Sequence, residues 1–500
     1  MYKKLFPFVS LVALCLAGAA QSPAPSSAQS RPQSPPLTPF QPNEKVIFIG
    51  NSITEAGYYE SYIWLYYMLH FPDRRITVLN GGIGGESAKN IVERLDDDVV
   101  ARTPTTVCLT FGMNDSGYFE FNWANADSAA KARVDASEHY FNLIRKKLNT
   151  LPAKKIMLTS SPYDETVKNP NNYFRKKSIA MDSISAFQQR AAAADHWGFV
   201  DFFHLMTAIT LKQQQTDSTF TLTGSDRIHP GNAGHFVMAW LFLRQQGLAG
   251  KPVADIVIDA THVTPNATHP PHPTPDAGHP TPNATHPTII KSENCTLSGL
   301  SVSPQDIHFN YLAKSLPFPV DTVARLWGNP HKQSEALSVI PFTDEMNKEE
   351  LTVKGLAAGA YAVTIDDTPI GQWSAGDLAK GINLAVLPNT PEYEQAMSVL
   401  CLNEERMGLE SKLRAYYWLQ FDYLRGIGRA FVDDAVTMDS VNLKSTKDWA
   451  VASKRDNYRA ARYPAVRTAW EKEMKLLTDD IYQVNQPRRH TIRIKAVIDK

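Results

Sequence analysis

Between Lys45 and about Gly250 the chain alternates short apolar runs with longer helical ones, and few folds accept that alternation. "VIFI" (46–49) precedes "YESYIWLYYMLH", "ITVLN" (76–80) precedes "ESAKNIVERLDDDVVAR", and "TTVCLTF" (105–111) precedes a helical stretch from about Ala126. "KKIMLTS" (154–160), a helix around 178–196, "GFVDFF" (198–203) and the closing helix "AGHFVMAWLFLRQQ" complete the series. Continuous runs rich in Val, Ile and Phe are strands buried on both faces, and a helix after each returns the chain for parallel pairing. The expectation over residues 44–250 is an α/β domain with a parallel sheet covered on both sides.

The flanks read differently. Lys3 and Lys4 precede an apolar run from Leu5 to Ala20 that ends in "AGAA", the pattern of a secretory signal cut after Ala19 or Ala20. A secreted or periplasmic location follows as an expectation. Lipid anchoring at Cys15 is the weaker reading, because Leu14 is large where a small residue is expected. No later segment offers the ~18 uninterrupted apolar residues of a spanning helix. Residues 21–43 form a Pro/Ser/Gln linker that cannot bury a core.

Beyond the α/β region, three near copies of one heptad start at Thr264, Thr274 and Thr281 within a Pro/His/Thr tract at 261–288. Five histidines there (His262, His269, His272, His279, His286) invite a metal reading, but a flexible tract fixes no ligand geometry, and no metal site is assigned. Strand-like pieces on either side, "VADIVIDA" and "TIIKSENCTLSGLSV", continue through "LTVKGL" and "YAVTIDDTPIGQWSAG" as a small antiparallel module over 251–389. Residues 390–500 read as mainly helical, to roughly Gln486. The aromatics Tyr416, Tyr417, Trp418, Phe421 and Tyr423 suit a packed face better than a sugar platform.

Each strand of the first domain ends in a polar or glycine-rich signature: "GNSIT", "NGGIGGESA", "FGMNDSG" and, beyond the fifth, "SDRIHPGNAGH". Sites of open α/β sheets form at the carboxyl ends of the strands, so these segments converge on one edge. Asp226 and His229 share a tight turn, where a carboxylate can fix the imidazole tautomer and stabilise its cation. The other ring nitrogen is then free to take a proton from Ser52, a poor nucleophile until a base does so. The anion formed on an ester carbonyl needs donors, and the backbone N–H groups of Ser52 and Gly85 with the Asn114 amide are the candidates. Each has an ordinary explanation alone: a turn serine, turn glycines, a turn asparagine, a helix-entry Asp/His pair. Together they make a complete acyl-transfer set, with His235 left as a helix-face residue.

The blocks "GNSIT", "GGIGGES", "GMND" and "DRIHP" resemble blocks I, II, III and V of the SGNH/GDSL hydrolase superfamily, whose Ser, Gly, Asn and His match Ser52, Gly85, Asn114 and His229. The family's acidic member matches Asp226. The resemblance implies a flavodoxin-like three-layer α/β/α fold and ester hydrolysis without a cofactor. Asn51 replaces the aspartate of the GDSL name, beside the nucleophile and outside the family's catalytic set.

The expected function is a secreted serine esterase for short acyl groups, acetyl above all, on carbohydrate. A lipolytic esterase or lysophospholipase of the same superfamily is the alternative enzyme, and a non-catalytic carbohydrate-binding protein the alternative of another class. Lys+Arg and Asp+Glu both total 51, so no basic excess exists to meet nucleic acid. The lipase elbow G-x-S-x-G, H-E-x-x-H and a Walker motif are all missing from the sequence.

Overall fold

The computed structural model describes residues 34–171, 173–261, 288–303, 305–326 and 328–497; the leader and the histidine tract lie outside them. The first strand, β1 (Lys45–Gly50), leads through α1 (Ser52–Glu55) into α2 (Tyr58–His70). Then come β2 (Thr77–Gly82), α3 (Ala88–Arg94), β3 (Thr106–Phe111), α4 (Ala126–Leu148), β4 (Lys154–Thr159), α5 (Lys177–Ala194), β5 (Gly198–Val200), α6 (Phe202–Gln214) and α7 (Asn232–Gln245). Every pairing in this sheet is parallel, in the order β2-β1-β3-β4-β5, as in a flavodoxin-like domain.

Alternate strand residues face opposite helix layers, so both faces must be apolar. Ile47, Ile49, Val107 and Leu109 pack with Ile91, Phe141 and Phe187 from α3, α4 and α5. Val46, Phe48, Cys108 and Leu158 pack on the other side with α2 and α7. "GFVDFF" ends as a strand at Val200: Asp201 caps α6 instead, its Oδ1 accepting His204 N–H at 3.0 Å. A carboxylate that satisfies a free helix amide outweighs the strand preference of the two phenylalanines.

The next region holds β6 (Ala254–Asp259), β7 (Thr288–Glu293), β8 (Cys295–Val302), β9 (Asp306–Ala313), α8 (Phe342–Met346), β10 (Glu349–Lys354), β11 (Ala360–Ile365), β12 (Thr368–Ser374), α9 (Ala375–Lys380) and β13 (Ile382–Asn383). One of its pairings departs from the antiparallel expectation: β6 and β10 run parallel, inside a sheet ordered β13-β10-β6-β7. The long excursion through β7, β8, β9 and α8 supplies the crossover that a parallel pair needs.

Thr390 caps α10 (Pro391–Trp418) by accepting Tyr393 N–H at 3.2 Å, with Pro391 in the first turn where its missing N–H costs nothing. α11 (Ala435–Ser445), α12 (Trp449–Ala461) and α13 (Pro464–Val484) follow. Tyr416, Trp418 and Phe421 are buried with Val441, Val451 and Tyr458, and Tyr417 and Tyr423 pack against them, so the aromatic run is core. The chain does not end in helix. β14 (Arg489–Ala496) inserts between β11 and β9 in a sheet ordered β12-β11-β14-β9-β8, with His490, Ile492 and Ile494 turned inward.

The antiparallel ladder pairs Asp259 with Thr288, so the ends of the histidine tract leave the sheet side by side. Replacing residues 262–287 with a short Gly/Ser turn is expected to keep the circular-dichroism spectrum, the thermal midpoint and esterase activity. Loss of soluble protein would show that the tract is structural.

Candidate active site

The turn that carries Ser52 is set by local hydrogen bonds. Asn51 caps α1, its Oδ1 accepting Ile53 N–H at 3.0 Å, which gives the residue beside Ser52 a structural task an aspartate could also perform. Ser52 therefore starts a helix at the carboxyl end of β1. Its Oγ lies 2.8 Å from His229 Nε2, and His229 Nδ1 lies 2.5 Å from Asp226 Oδ2.

The turn that carries the pair is held from both sides. Asp226 Oδ1 accepts the backbone N–H groups of Ile228 and His229, and Gly224 N–H donates to His229 O at 2.8 Å. Burial alone would raise the Asp226 pKa, but the hydrogen bond and charge of His229 and these backbone donors outweigh it, so the carboxyl lies below its usual range. Arg227, between the two, is buried at φ +65° and donates to the carbonyls of Asp164, Asn169 and Asn171. On the other side Asn329 fills space that side chains on Gly224 and Gly231 would need. It stands in a segment tied down by Asn232 Oδ1, which accepts Arg325 and Leu326 N–H.

The expected donors follow β2 and β3. Ile83 N–H donates to Gly50 O at 3.0 Å, setting the glycine turn beside the serine turn. Gly85 adopts φ +83°, which glycine reaches without penalty, and its missing Cβ faces open space. Asn114 Nδ2 donates one hydrogen to Glu86 O at 2.8 Å, and its Oδ1 accepts Tyr118 O–H at 2.6 Å. An amide has two donors and one acceptor end, so its orientation is fixed and one N–H is left over.

The five residues expected at the site thus lie at the carboxyl edge of one sheet. Lys177 is the addition that sequence reasoning did not supply; Tyr118 belongs to the loops expected to shape the pocket, and its bond to Asn114 is new. Lys177 is wholly buried, and its Nζ donates to Met113 O and Ser116 Oγ at 2.6 Å and to Gly117 O at 2.5 Å, 3.9 Å above the Tyr118 ring. Burial lowers its pKa to about 7. A lysine at the start of an ordinary helical pattern gives no sequence signal. His235 is buried against the Tyr59 ring and pushed down to about 3 by burial, which keeps it neutral and out of solvent. Phe119 and Trp123 are 71% and 55% exposed on the loop after Tyr118.

Two families match parts of the chain: the GDSL-like lipase/acylhydrolase family over residues 48–236 and the diltiazem deacetylase C-terminal helical domain over 397–486. A solved structure of a gut microbial diltiazem-metabolizing enzyme is 40% identical, covers 93% of this chain and is itself covered completely, with a TM-score of 0.85. An acetylxylan esterase of Geobacillus stearothermophilus is 27% identical over 229 residues, 41% of this chain and 94% of that protein.

Lys177→Met would leave the buried Gly117 carbonyl without its donor, while Met113 O keeps the Ser116 hydroxyl at 3.0 Å. Urea unfolding is expected to show a loss of about 1–3 kcal/mol, the cost of one such group. A loss below about 0.5 kcal/mol would mean that the loop finds other partners, as surface substitutions do.

Proposed function

Because this chain belongs to the SGNH/GDSL hydrolases and is an ester-hydrolysing enzyme, we propose that it removes acetyl groups from acylated carbohydrate through Ser52, His229 and Asp226. The observation that carries the assignment of residues is the unbroken relay from Ser52 Oγ through the imidazole to Asp226, at 2.8 and 2.5 Å. His229 Nε2 takes the serine proton as Oγ attacks the ester carbonyl. The same proton then goes to the leaving alcohol, giving an acetyl-enzyme. Water, deprotonated by His229, releases acetate and restores the serine. Asp226 holds Nδ1–H and faces the imidazolium while it lasts. The oxyanion is received by Ser52 N–H, Gly85 N–H and the remaining N–H of Asn114.

Two of the matches name acetyl chemistry, the acetylxylan esterase and the family of the diltiazem deacetylase C-terminal helical domain. A second reading, a deacetylase of small drug-like esters such as diltiazem, is favoured by the 40% identity along nearly the whole chain. Exposed Phe119 and Trp123 suit a sugar face or an acyl chain, so chain-length preference decides the lipolytic case. We further propose export, on the basis of Lys3, Lys4 and the apolar run after them.

Ser52→Ala is expected to lose roughly 10⁶ in turnover and Asn114→Ala about 10²–10³, both folded. A tenth of wild-type activity in Ser52→Ala would remove that serine from the mechanism. Against p-nitrophenyl esters, rates should fall steeply from acetate to octanoate, with acetate released from acetylated glycans. Release from diltiazem alone selects the second reading, and a preference for octanoate selects the lipolytic one.

A further inference from the structure

The Gly85 amide is delivered by a four-residue turn. Glu86 N–H closes it on Ile83 O at 3.4 Å, and Gly85 takes the third position at φ +83°. A positive φ there is the type II arrangement, and type I differs from it by a flip of the central peptide. That central peptide joins Gly84 C=O to Gly85 N–H. It is planar and trans, so the two groups point in opposite directions. Whatever holds Gly84 O therefore sets the direction of Gly85 N–H.

The holder comes from far along the chain. Trp418, the last residue of α10, donates its Nε1–H to Gly84 O at 3.0 Å. Its indole packs with Ile83, Leu419 and Phe421, and the Lys454 ammonium lies 4.5 Å over the ring. The Glu55 carboxylate also sits where a Gly84 side chain would be, 2.5 Å from an ideal Cβ. Gly85 N–H itself meets no protein acceptor among the described residues. Held at its oxygen end, this peptide presents a donor in need of a partner, and a hydrogen bond at the carbonyl also strengthens the N–H as a donor.

We propose that Trp418 is a positioning residue for the oxyanion hole, and that the helical region serves the reaction by fixing the Gly84–Gly85 peptide. This rests on the assignment of Gly85 N–H as an oxyanion donor. The indole does not touch the ester; it acts through the peptide.

Trp418→Phe keeps an aromatic ring in the cluster and removes only the donor. Steady-state kinetics on an acetyl ester should show kcat lower by about tenfold, with KM changed less than about twofold, because the lost interaction exists only in the transition state. The thermal midpoint should stay near wild type. If Trp418→Phe does not fold, a benzothiophene side chain at position 418, isosteric with indole but lacking N–H, makes the same measurement. Wild-type kcat in either folded protein overturns the proposal, as does a rise in KM without loss of kcat. Should Ser52→Ala remain active, the serine mechanism fails, and with it the oxyanion role of Gly85 N–H. With Ser52→Ala dead and kcat intact at Trp418→Phe, only the positioning role fails.

Discussion

One buried carboxylate organises the edge of the sheet where the site forms. Asp98, in a π-helical turn after α3, receives both guanidinium nitrogens of Arg414 at 3.0 and 2.9 Å and also contacts Arg94 and Arg102. Burial would raise its pKa, but three guanidinium groups outweigh that and keep it far below the usual carboxylate range. Each arginine also reaches a backbone carbonyl of β2, and Arg94 Nε–H meets the buried Glu86 carboxylate at 2.6 Å. Arg102 reaches Asn80 O, Arg94 reaches Gly81 O and Arg414 reaches Gly82 O. β2 is an edge strand, with one side of its backbone unpaired. The polar groups that a further strand would satisfy are met here by side chains, including Glu410, which accepts Asn80 N–H at 2.8 Å. Removing one partner from so buried a cluster costs about 3–5 kcal/mol, because the charges left behind are unpaired.

The strand so braced runs into the glycine turn, and the same helix that supplies Arg414 ends at Trp418. Arginine fixes the strand end, and one helical turn later the indole fixes the peptide before Gly85. A second appended segment acts at the far side of the site, where Asn329 fills the space beside Gly224 and Gly231 around the Asp226–His229 turn. The parts of the chain outside the α/β sheet therefore brace the Gly85 turn and the Asp226–His229 turn.

The α/β sheet was legible because parallel strands read as unbroken apolar runs, and "VIFI" and "TTVCLTF" lie within or across β1 and β3. The candidate site was legible because four short signatures follow separate strands. What stayed hidden depends on contacts between distant positions. Trp418 and Gly84 are 334 residues apart, and nothing in "AYYWLQF" marks one indole as a donor to a glycine carbonyl. Lys177 escaped notice because burial, not spacing, defines its role. "RHTIRIKA" does carry a strand's alternation, but it follows a long helix and pairs with strands far earlier in the chain, so its place in the sheet could not be read locally.

The proposed mechanism requires that Ser52 Oγ become acylated. Treatment of the active enzyme with a fluorophosphonate, followed by mass spectrometry of its peptides, reads that atom directly. One adduct is predicted, on the peptide that contains Ser52, appearing as activity disappears and absent from His229→Ala over the same period. Full inhibition with the adduct on another serine, or continued ester hydrolysis by a protein fully labelled at Ser52, would contradict it.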